Sequence, residues 1–479
     1  MNRFNIPKLI QKANYGTAKS ILPNKTIKTI LKEDITNVGV RGWIRSVRKQ
    51  KQISFATIND GSNLKGIQAI LSSEDSKKLT TGACVELHGS LVPSLGKEQT
   101  KELKVDSIKL LGECDDTYPL QKKRHTIDFL RSIGHLRMRG NTGSAMLRIR
   151  NAASEGLRDF FRDQEFILTN TPILTSHDCE GGGEVFKVSP IDTTDPQEFF
   201  KKPVYLTVSG QLHAEITASA MSRVYTFGPV FRAEESLTSR HLAEFWMLEA
   251  EMAFIDDLAP LLDVTEGCVQ QTTRYVLDTC GEDLDFFNQW VDKSLLERLH
   301  KSVDKPFVRM TYTEAIDALQ KAQNKKKNKF HFPTTWGSSL HSEHERYLAS
   351  DYCDQPVFVT DYPSELKPFY MRANPDEKTV GCFDLLLPGI GELVGGSLRE
   401  ERYQVLEQKM KHAKMNLEDY QWYLDLRKYG SAPHGGYGIG FERLLLWLTG
   451  LENVREVIPM HYKFFITKHL KCGQLEYFL

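Results

Sequence analysis

Phe231-Arg232-Ala233-Glu234-Glu235 and, a short way on, Arg240-His241-Leu242-Ala243-Glu244-Phe245 lie between two strand-like runs, Arg223-Val-Tyr-Thr-Phe227 and residues 245–254. Two strands so joined form a hairpin, and side chains two apart on a strand share a face. Arg232 and Glu234 therefore point to one side, and the connection carries Arg240 and His241 towards the same ligand. Guanidinium groups suit phosphates because they bind them bidentately. An isolated Arg-x-Glu is usually a surface ion pair. A second cationic element argues otherwise here: Gly438-Ile439-Gly440-Phe441-Glu442-Arg443 has glycines that let the backbone approach a ligand, ahead of a helix expected from Leu444. Between the two, Asp384 and Glu392 offer paired carboxylates suited to Mg²⁺ shared with phosphates, with Arg399 close behind. Jointly these residues indicate a nucleotide site. No Walker pattern occurs, and the glycine-dense run 435–440 lacks the βαβ unit and following acid of a dinucleotide fold.

Working outward, Met146, Ile149, Ala153, Leu157 and Phe160 recur at three and four, which predicts a long amphipathic helix over 143–166. Strand-like runs follow at 204–208 and, later, at 382–387. The expected fold of residues 136–479 is α+β, an antiparallel sheet flanked by helices. Upstream, residues 38–45, 53–58, 66–71 and 84–91 alternate apolar and polar positions, with Asn59-Asp60-Gly61-Ser62 as turn chemistry between two of them. Short strands at this spacing suggest a small antiparallel barrel, for which a five-stranded OB β-barrel over 36–113 is one natural solution, joined by a polar linker at 114–135. From Ile35 to Asn59 there are five bases (Arg41, Arg45, Arg48, Lys49, Lys51), no acids, and the aromatics Trp43 and Phe55. Cations neutralise phosphates while aromatic faces stack on unpaired bases, so this face suits single-stranded nucleic acid. The alternative keeps Trp43 and Phe55 in the barrel core beneath a solvated basic hairpin. The Lys-rich stretch 321–329 reads as a solvated surface loop.

The 479 residues balance 62 basic against 62 acidic side chains, so net charge alone gives no reason to expect a polyanionic partner. Its distribution is uneven. Residues 1–32 contain seven Lys or Arg and no Asp or Glu, leaving 55 basic against 62 acidic in the rest. Interleaved bases, hydroxyls and apolar residues without a continuous apolar centre read as a mitochondrial matrix presequence rather than a secretory signal; a basic arm for nucleic acid, on a cytoplasmic protein, is the alternative. No apolar run approaches a bilayer span, so no membrane is expected. Eight scattered cysteines without a Cys-x-x-Cys pair or a His spacing suggestive of zinc read as reduced thiols and disfavour a secreted disulfide scaffold.

A helix ending in Thr171-Pro172, the Phe231-Arg232-x-Glu234…Arg240…Phe245 hairpin and Gly438-x-Gly440-x-Glu442-Arg443 resemble, in order, the three signature motifs of class II aminoacyl-tRNA synthetases. With the barrel, the resemblance runs over about residues 36–460 and is to the subgroup handling Asp, Asn and Lys. Cys179-Glu180-Gly181-Gly182-Gly183-Glu184, residues 209–215, 240–245 and 388–393 are similar to its asparagine branch in particular. The resemblance implies an ATP- and Mg²⁺-dependent homodimer that joins asparagine to tRNA(Asn). Arg232 would then hold the α-phosphate and the amino-acid carboxylate, Glu234 the adenine amino group, and Phe245 and Arg443 the two adenine faces. Arg443 would also reach the γ-phosphate, Arg240 and His241 the distal phosphates, and Asp384 and Glu392 the Mg²⁺. Glu180, Gln211 and Glu249 would position the substrate ammonium, and Pro172 would lie in the dimer interface. In the barrel, Phe55 would stack on an anticodon base while Gln68 and Arg48 help read it. One departure stands out: Pro459-Met460-His461-Tyr462-Lys463 replaces the family's Phe-Pro-Arg-like run, so that either Lys463 substitutes for the arginine or the contact is absent.

Asparagine and aspartate differ by one charge. The aspartate enzymes place a Lys where this chain has Ala214, while Arg399 remains and Glu215 is adjacent. One donor and one acceptor match an amide, and Glu215 would repel a carboxylate. The alternatives are an aspartyl-tRNA synthetase, an ATP-dependent asparagine synthetase on the same catalytic fold, which would not need the barrel, and a non-enzymatic RNA-binding paralogue.

Overall fold

The computed structural model describes residues 25–77, 79–96, 99–123, 125–177, 184–190, 199–234, 238–325 and 329–460. Residues 1–24 of the expected presequence, Glu180 with its neighbours, Lys326 to Asn328, and the tail from His461 lie outside these. The chain forms two units, dividing after Gly140.

The first is a closed barrel of strands β1 (Asn37–Arg48), β2 (Ile53–Asn59), β3 (Ile67–Ser72), β4 (Cys84–Pro93) and β5 (Lys101–Gly112), in the order β1-β2-β3-β5-β4. The period-2 pattern fixes which face is inside. Val40 and Ile44 on β1 and Ala56 and Ile58 on β2 are buried, so their neighbours Trp43 and Phe55 project outward. Trp43 is 41% exposed and Phe55 half-buried, which removes the core alternative for both. A helix, Ile27–Lys32, plugs the barrel with Ile27 and Ile30. Its first N–H groups are satisfied by the β2–β3 turn, Ile27 N donating to Asp60 Oδ2 at 2.8 Å and Lys28 N to Ser62 Oγ at 3.0 Å. These six residues, assigned to a leader on composition, are therefore part of the barrel.

The second unit is built on an eight-stranded sheet. In order across it lie β11 (Val308–Thr311), β12 (Val357–Thr360), β13 (Cys382–Leu387), β14 (Gly391–Leu398), β15 (His434–Gly440), β10 (Glu244–Ala253), β9 (Arg223–Phe231) and β6 (Ile167–Leu168). All its pairs are antiparallel except β11 with β12 and β6 with β9. A small pair, β7 (Leu174–Thr175) with β8 (Tyr205–Leu206), stands apart, so the run expected as a strand over 204–208 is only two residues long. The helix Asn141–Asp163 buries the five apolar positions read from its periodicity and packs on the helix Leu258–Thr279. It stops earlier than the motif resemblance implies: Glu165 takes φ 62°, a left-handed conformation, and the chain re-enters the sheet as β6 before Thr171-Pro172. The helix Phe441–Thr449 begins three residues before Leu444, directly off β15, and buries nearly every side chain. Residues 321–325 are the last turns of the helix Tyr312–Lys325 rather than loop, because Ala315, Leu319 and Ala322 hold one face in the core.

Candidate active site

Strand register builds the floor of the site. Asp384 on β13 pairs with Gly395 on β14, Gly395 with Gly438 on β15, Gly438 with Glu249 on β10, and Glu249 with Thr226 on β9. One transverse row thus runs acid, glycine, glycine, acid. A cavity of about 340 Å³ opens above it, and both glycines line it. The space exists because those two positions lack side chains: a Cβ on Gly395 would sit 3.5 Å from Glu392 Oε1 and 3.7 Å from Asp384 Oδ1.

Arg232, at the end of β9, and Arg443, in the first turn of the helix after β15, both line this cavity. Arg232 lies over the Phe245 ring at 5.5 Å, a cation–π contact that orients its fork. Arg443 Nη1 donates to the Glu392 carbonyl at 3.0 Å and to Glu392 Oε2 at 3.3 Å. Its helix is anchored by buried Glu442, which accepts from Arg150 Nη1 and from Trp246 N, each at 2.9 Å. The hairpin connection brings in Glu234 and His241, paired at 3.3 Å, and Arg240, whose Nη1 donates to Ser342 Oγ at 2.9 Å and lies 3.8 Å from Glu345. All these hairpin residues line the same cavity.

The carboxylates form an electrostatically strained group. Lys367 Nζ donates to both oxygens of Asp384, at 2.8 and 3.0 Å. Burial pushes Asp384 upward, while Glu392, against the same push, is held below the usual range by Arg443 and Lys367. Glu345, whose Oε2 accepts from Glu392 N at 3.2 Å, is pushed to about 7 by burial and by the charge of Glu392. Hard oxygens crowded in this way fit a divalent cation, which would relieve their repulsion. Among the described residues no set of three or more His, Cys, Asp or Glu could hold a metal alone, so phosphate oxygens and water would have to complete the shell.

At the other end lie Gln211, Glu249 and Arg399, also on the cavity wall. Glu249 accepts from Ser209 Oγ and from Gly210 N, the latter at 2.7 Å, and burial raises its pKa. Arg399 donates from Nε and Nη2 to Glu251, which burial pushes to about 7. Glu215 does not line the cavity. It is buried behind Arg399, 4.0 Å away, and its oxygens accept from Tyr423 Oη (2.8 and 2.9 Å), Arg427 Nη2 (2.7 Å) and Gln211 Nε2 (3.1 Å). Glu215, expected to contact the substrate directly, thus lies outside the cavity lining with its oxygens engaged by protein donors. Glu251, Lys367 and Glu345 are the residues that motif reading missed. Glu251 had a signal, since it sits two along from Glu249 on the same strand face.

In the barrel, Arg48 and Phe55 are a cross-strand pair on the outer face, with the guanidinium 5.0 Å from the ring centre. Gln68 lies opposite Thr57 and donates to Glu102 Oε1 at 3.0 Å. Pro172 is exposed between aliphatic neighbours that are also exposed: Ile167 (44%), Leu168 (46%), Ile173 (42%) and Leu174 (48%).

Residues 127–461 match the family described as tRNA synthetases class II (D, K and N), and residues 38–111 match the OB-fold nucleic acid binding domain. Asparagine--tRNA ligase of Microcystis aeruginosa is 50% identical over 433 residues, 88% of this chain and 94% of its own. The chloroplastic/mitochondrial asparagine--tRNA ligase of Arabidopsis thaliana is 47% identical, over 89% of this chain and 80% of that protein. The crystal structure of asparaginyl-tRNA synthetase from Pyrococcus horikoshii complexed with asparaginyl-adenylate superposes with a TM-score of 0.80 at 30% identity, covering 91% of this chain and 98% of that one.

Proposed function

Because the chain belongs to the asparaginyl-tRNA synthetase family of class II ligases, we propose that it activates asparagine with ATP, releasing pyrophosphate, and then transfers the asparaginyl group to the 3′-terminal ribose of tRNA(Asn). The observation that carries this reading is the convergence of Arg232 and Arg443, from separate motifs, on one glycine-floored cavity whose far end holds the Glu251–Arg399 pair.

Activation is in-line attack by the asparagine carboxylate on the α-phosphorus, so it needs positioning and charge neutralisation and no protein nucleophile. Arg232 neutralises the α-phosphate and the attacking carboxylate. Phe245 and Arg443 sandwich the adenine, Glu234 accepts from its amino group, and Arg240, His241 and Arg443 hold the distal phosphates. Asp384 and Glu392 would hold Mg²⁺, which when bound would supply charge neutralisation at the phosphates. Gln211 and Glu249 orient the substrate ammonium; Glu180 joins them by motif alone.

Selection of the amide over the acid follows from charge balance. Arg399 is already paired with Glu251, with the carboxylate of Glu215 behind it, and Ala214 supplies no second cation. A second carboxylate there would face a neutral or negative pocket, whereas an amide can donate to a carboxylate and accept from Arg399. The outer face of the barrel, with Arg48, Phe55 and Gln68 adjacent, supports anticodon reading and favours a tRNA acceptor over ammonia. The exposed aliphatics around Pro172 support a homodimer, which sedimentation would detect. The acid-free basic segment at residues 1–24 and the organellar Arabidopsis relative support a role in mitochondrial translation; those residues fused to a reporter should direct it to the matrix, and a purely cytosolic reporter would refute that role.

The test is aminoacylation. Purified protein with ATP, asparagine and tRNA(Asn) should form asparaginyl-tRNA with AMP release that depends on the tRNA. AMP release stimulated by ammonia and aspartate instead, with no charged tRNA, would identify an asparagine synthetase.

A further inference from the structure

The segment after the helix Tyr312–Lys325 does not line the adenylate cavity, yet it leaves an aromatic stack partly exposed. Residues 321–341 contain no Asp or Glu and include Lys321, Lys325 and Lys329. Within it Phe332 is 48% exposed and lies flat on His341, ring centres 3.7 Å apart and planes within 15°. Leaving such a stack in water forgoes the burial that normally rewards an aromatic side chain.

The stack is also held rigidly. Glu343 Oε1 accepts from His331 N at 2.7 Å and from Phe332 N at 2.8 Å. His344, fully buried, packs edge-on against Phe330 and anchors the short helix Ser342–Arg346. Lys329 stands 3.8 Å over the Tyr347 ring, so a cation is fixed alongside. His341 adjoins Ser342, whose hydroxyl accepts from Arg240 at the cavity wall. The stacked pair is thus one residue removed from a contact with the site where the adenylate would form.

A partly exposed ring stack near one held lysine, with the neighbouring carboxylate of Glu343 occupied by the His331 and Phe332 N–H groups, matches the chemistry of an unpaired nucleotide: a π-face to stack on and a phosphate to neutralise. We propose that the Phe332–His341 pair, with Lys329, is a stacking platform for an unpaired base of the tRNA 3′-terminal strand as it enters the cavity past Arg240. The proposal rests on the reading that tRNA is the acceptor. Continuity with the cavity selects this strand over other RNA segments, because the terminal ribose must reach the adenylate.

The experiment compares Phe332→Ala and Phe332→Trp with the unaltered protein in binding tRNA(Asn), intact or lacking its unpaired 3′ nucleotides, alongside asparagine-dependent pyrophosphate exchange, which needs no tRNA. Loss of one stacked base predicts that Phe332→Ala weakens intact tRNA binding about tenfold, that Phe332→Trp restores it, and that the alanine variant binds truncated tRNA as the unaltered protein does. Exchange should be unchanged. Equal affinity of Phe332→Ala and unaltered protein for intact tRNA, or an equal loss with truncated tRNA, would overturn the platform and leave the patch to another partner. A joint loss of exchange and binding that Trp does not rescue would mark Phe332 as structural and overturn it as well. Absence of exchange in the unaltered protein would instead refute the functional reading, and this inference with it.

Discussion

Arg427 donates to Glu215 at 2.7 Å where neither side chain reaches solvent, with exposures of 1% and 0%. The pair fixes the ground behind Arg399, so its effect on amino-acid selection is indirect. Removing the charge from one partner strands the other. Glu215→Gln should destabilise the protein by about 3–5 kcal/mol, read from urea unfolding, and raise KM for asparagine through a shifted Arg399. Against the upward push of burial, Arg427 and His434 hold the Glu215 pKa far below its usual range. The stabilisation is therefore full above about pH 4.5 and is lost only as pH falls through the depressed folded value.

Two glycines on β15 should respond differently to the same methyl group. At Gly438 a Cβ would press on the flexible end of Met247, at 2.9 Å, touch Glu249 Cγ at an ordinary 3.6 Å, and intrude on the cavity floor. At Gly436 it would lie 2.3 Å from the Ala250 carbonyl oxygen and 2.2 Å from Glu251 Oε1. Gly438→Ala should fold normally and raise KM for ATP about tenfold or more; Gly436→Ala should unfold at markedly lower denaturant. Thermal melts beside exchange kinetics separate the two.

Lysine cannot reproduce a guanidinium fork that also lies over an aromatic ring. Arg232→Lys puts a single ammonium where the planar fork stacks on Phe245, and it should reduce kcat/KM for pyrophosphate exchange by about 10²–10³-fold. Arg443→Ala should do the same. Circular dichroism should remain native for both, since Glu442 rather than Arg443 ties the helix to β10.

Glu345 titrates near 7 in the folded protein against an ordinary 4.5. A raised acid binds its proton more tightly when folded, so it costs nothing below about pH 4.5 and destabilises increasingly as pH rises to 7. Glu345→Gln keeps an acceptor for Glu392 N and removes that cost. The variant should match the unaltered protein in Tm near pH 4.5 and exceed it at pH 7.5, by about 1–3 kcal/mol of stability.

Most of the site was legible because its residues fall in short motifs on or beside strands. The glycines at 395 and 438 mark where backbone must approach a ligand, whereas Arg232 and Glu234, just past the end of β9, and Glu249 on β10 were read from the motifs they share with the family. Glu345 and Lys367 were not legible: both arrive from long excursions between strands, where spacing carries no geometric information. Glu215 misled because adjacency to Ala214 placed it near the substrate, whereas on the helix Gln211–Met221 it turns towards Tyr423 and Arg427. Four of the five barrel strands followed from alternation, Lys101–Gly112 did not, and the sidedness of Trp43 and Phe55 needed the register. Ile27 and Ile30 carried a helical spacing that the basic composition around them obscured.

The most direct test of the central claim is pyrophosphate exchange with each amino acid in turn, since it needs the triphosphate clamp and the amino-acid pocket to work together. Exchange supported by asparagine and not by aspartate is the predicted result. Exchange with aspartate and none with asparagine would contradict the charge balance assigned to Arg399, Glu251 and Glu215.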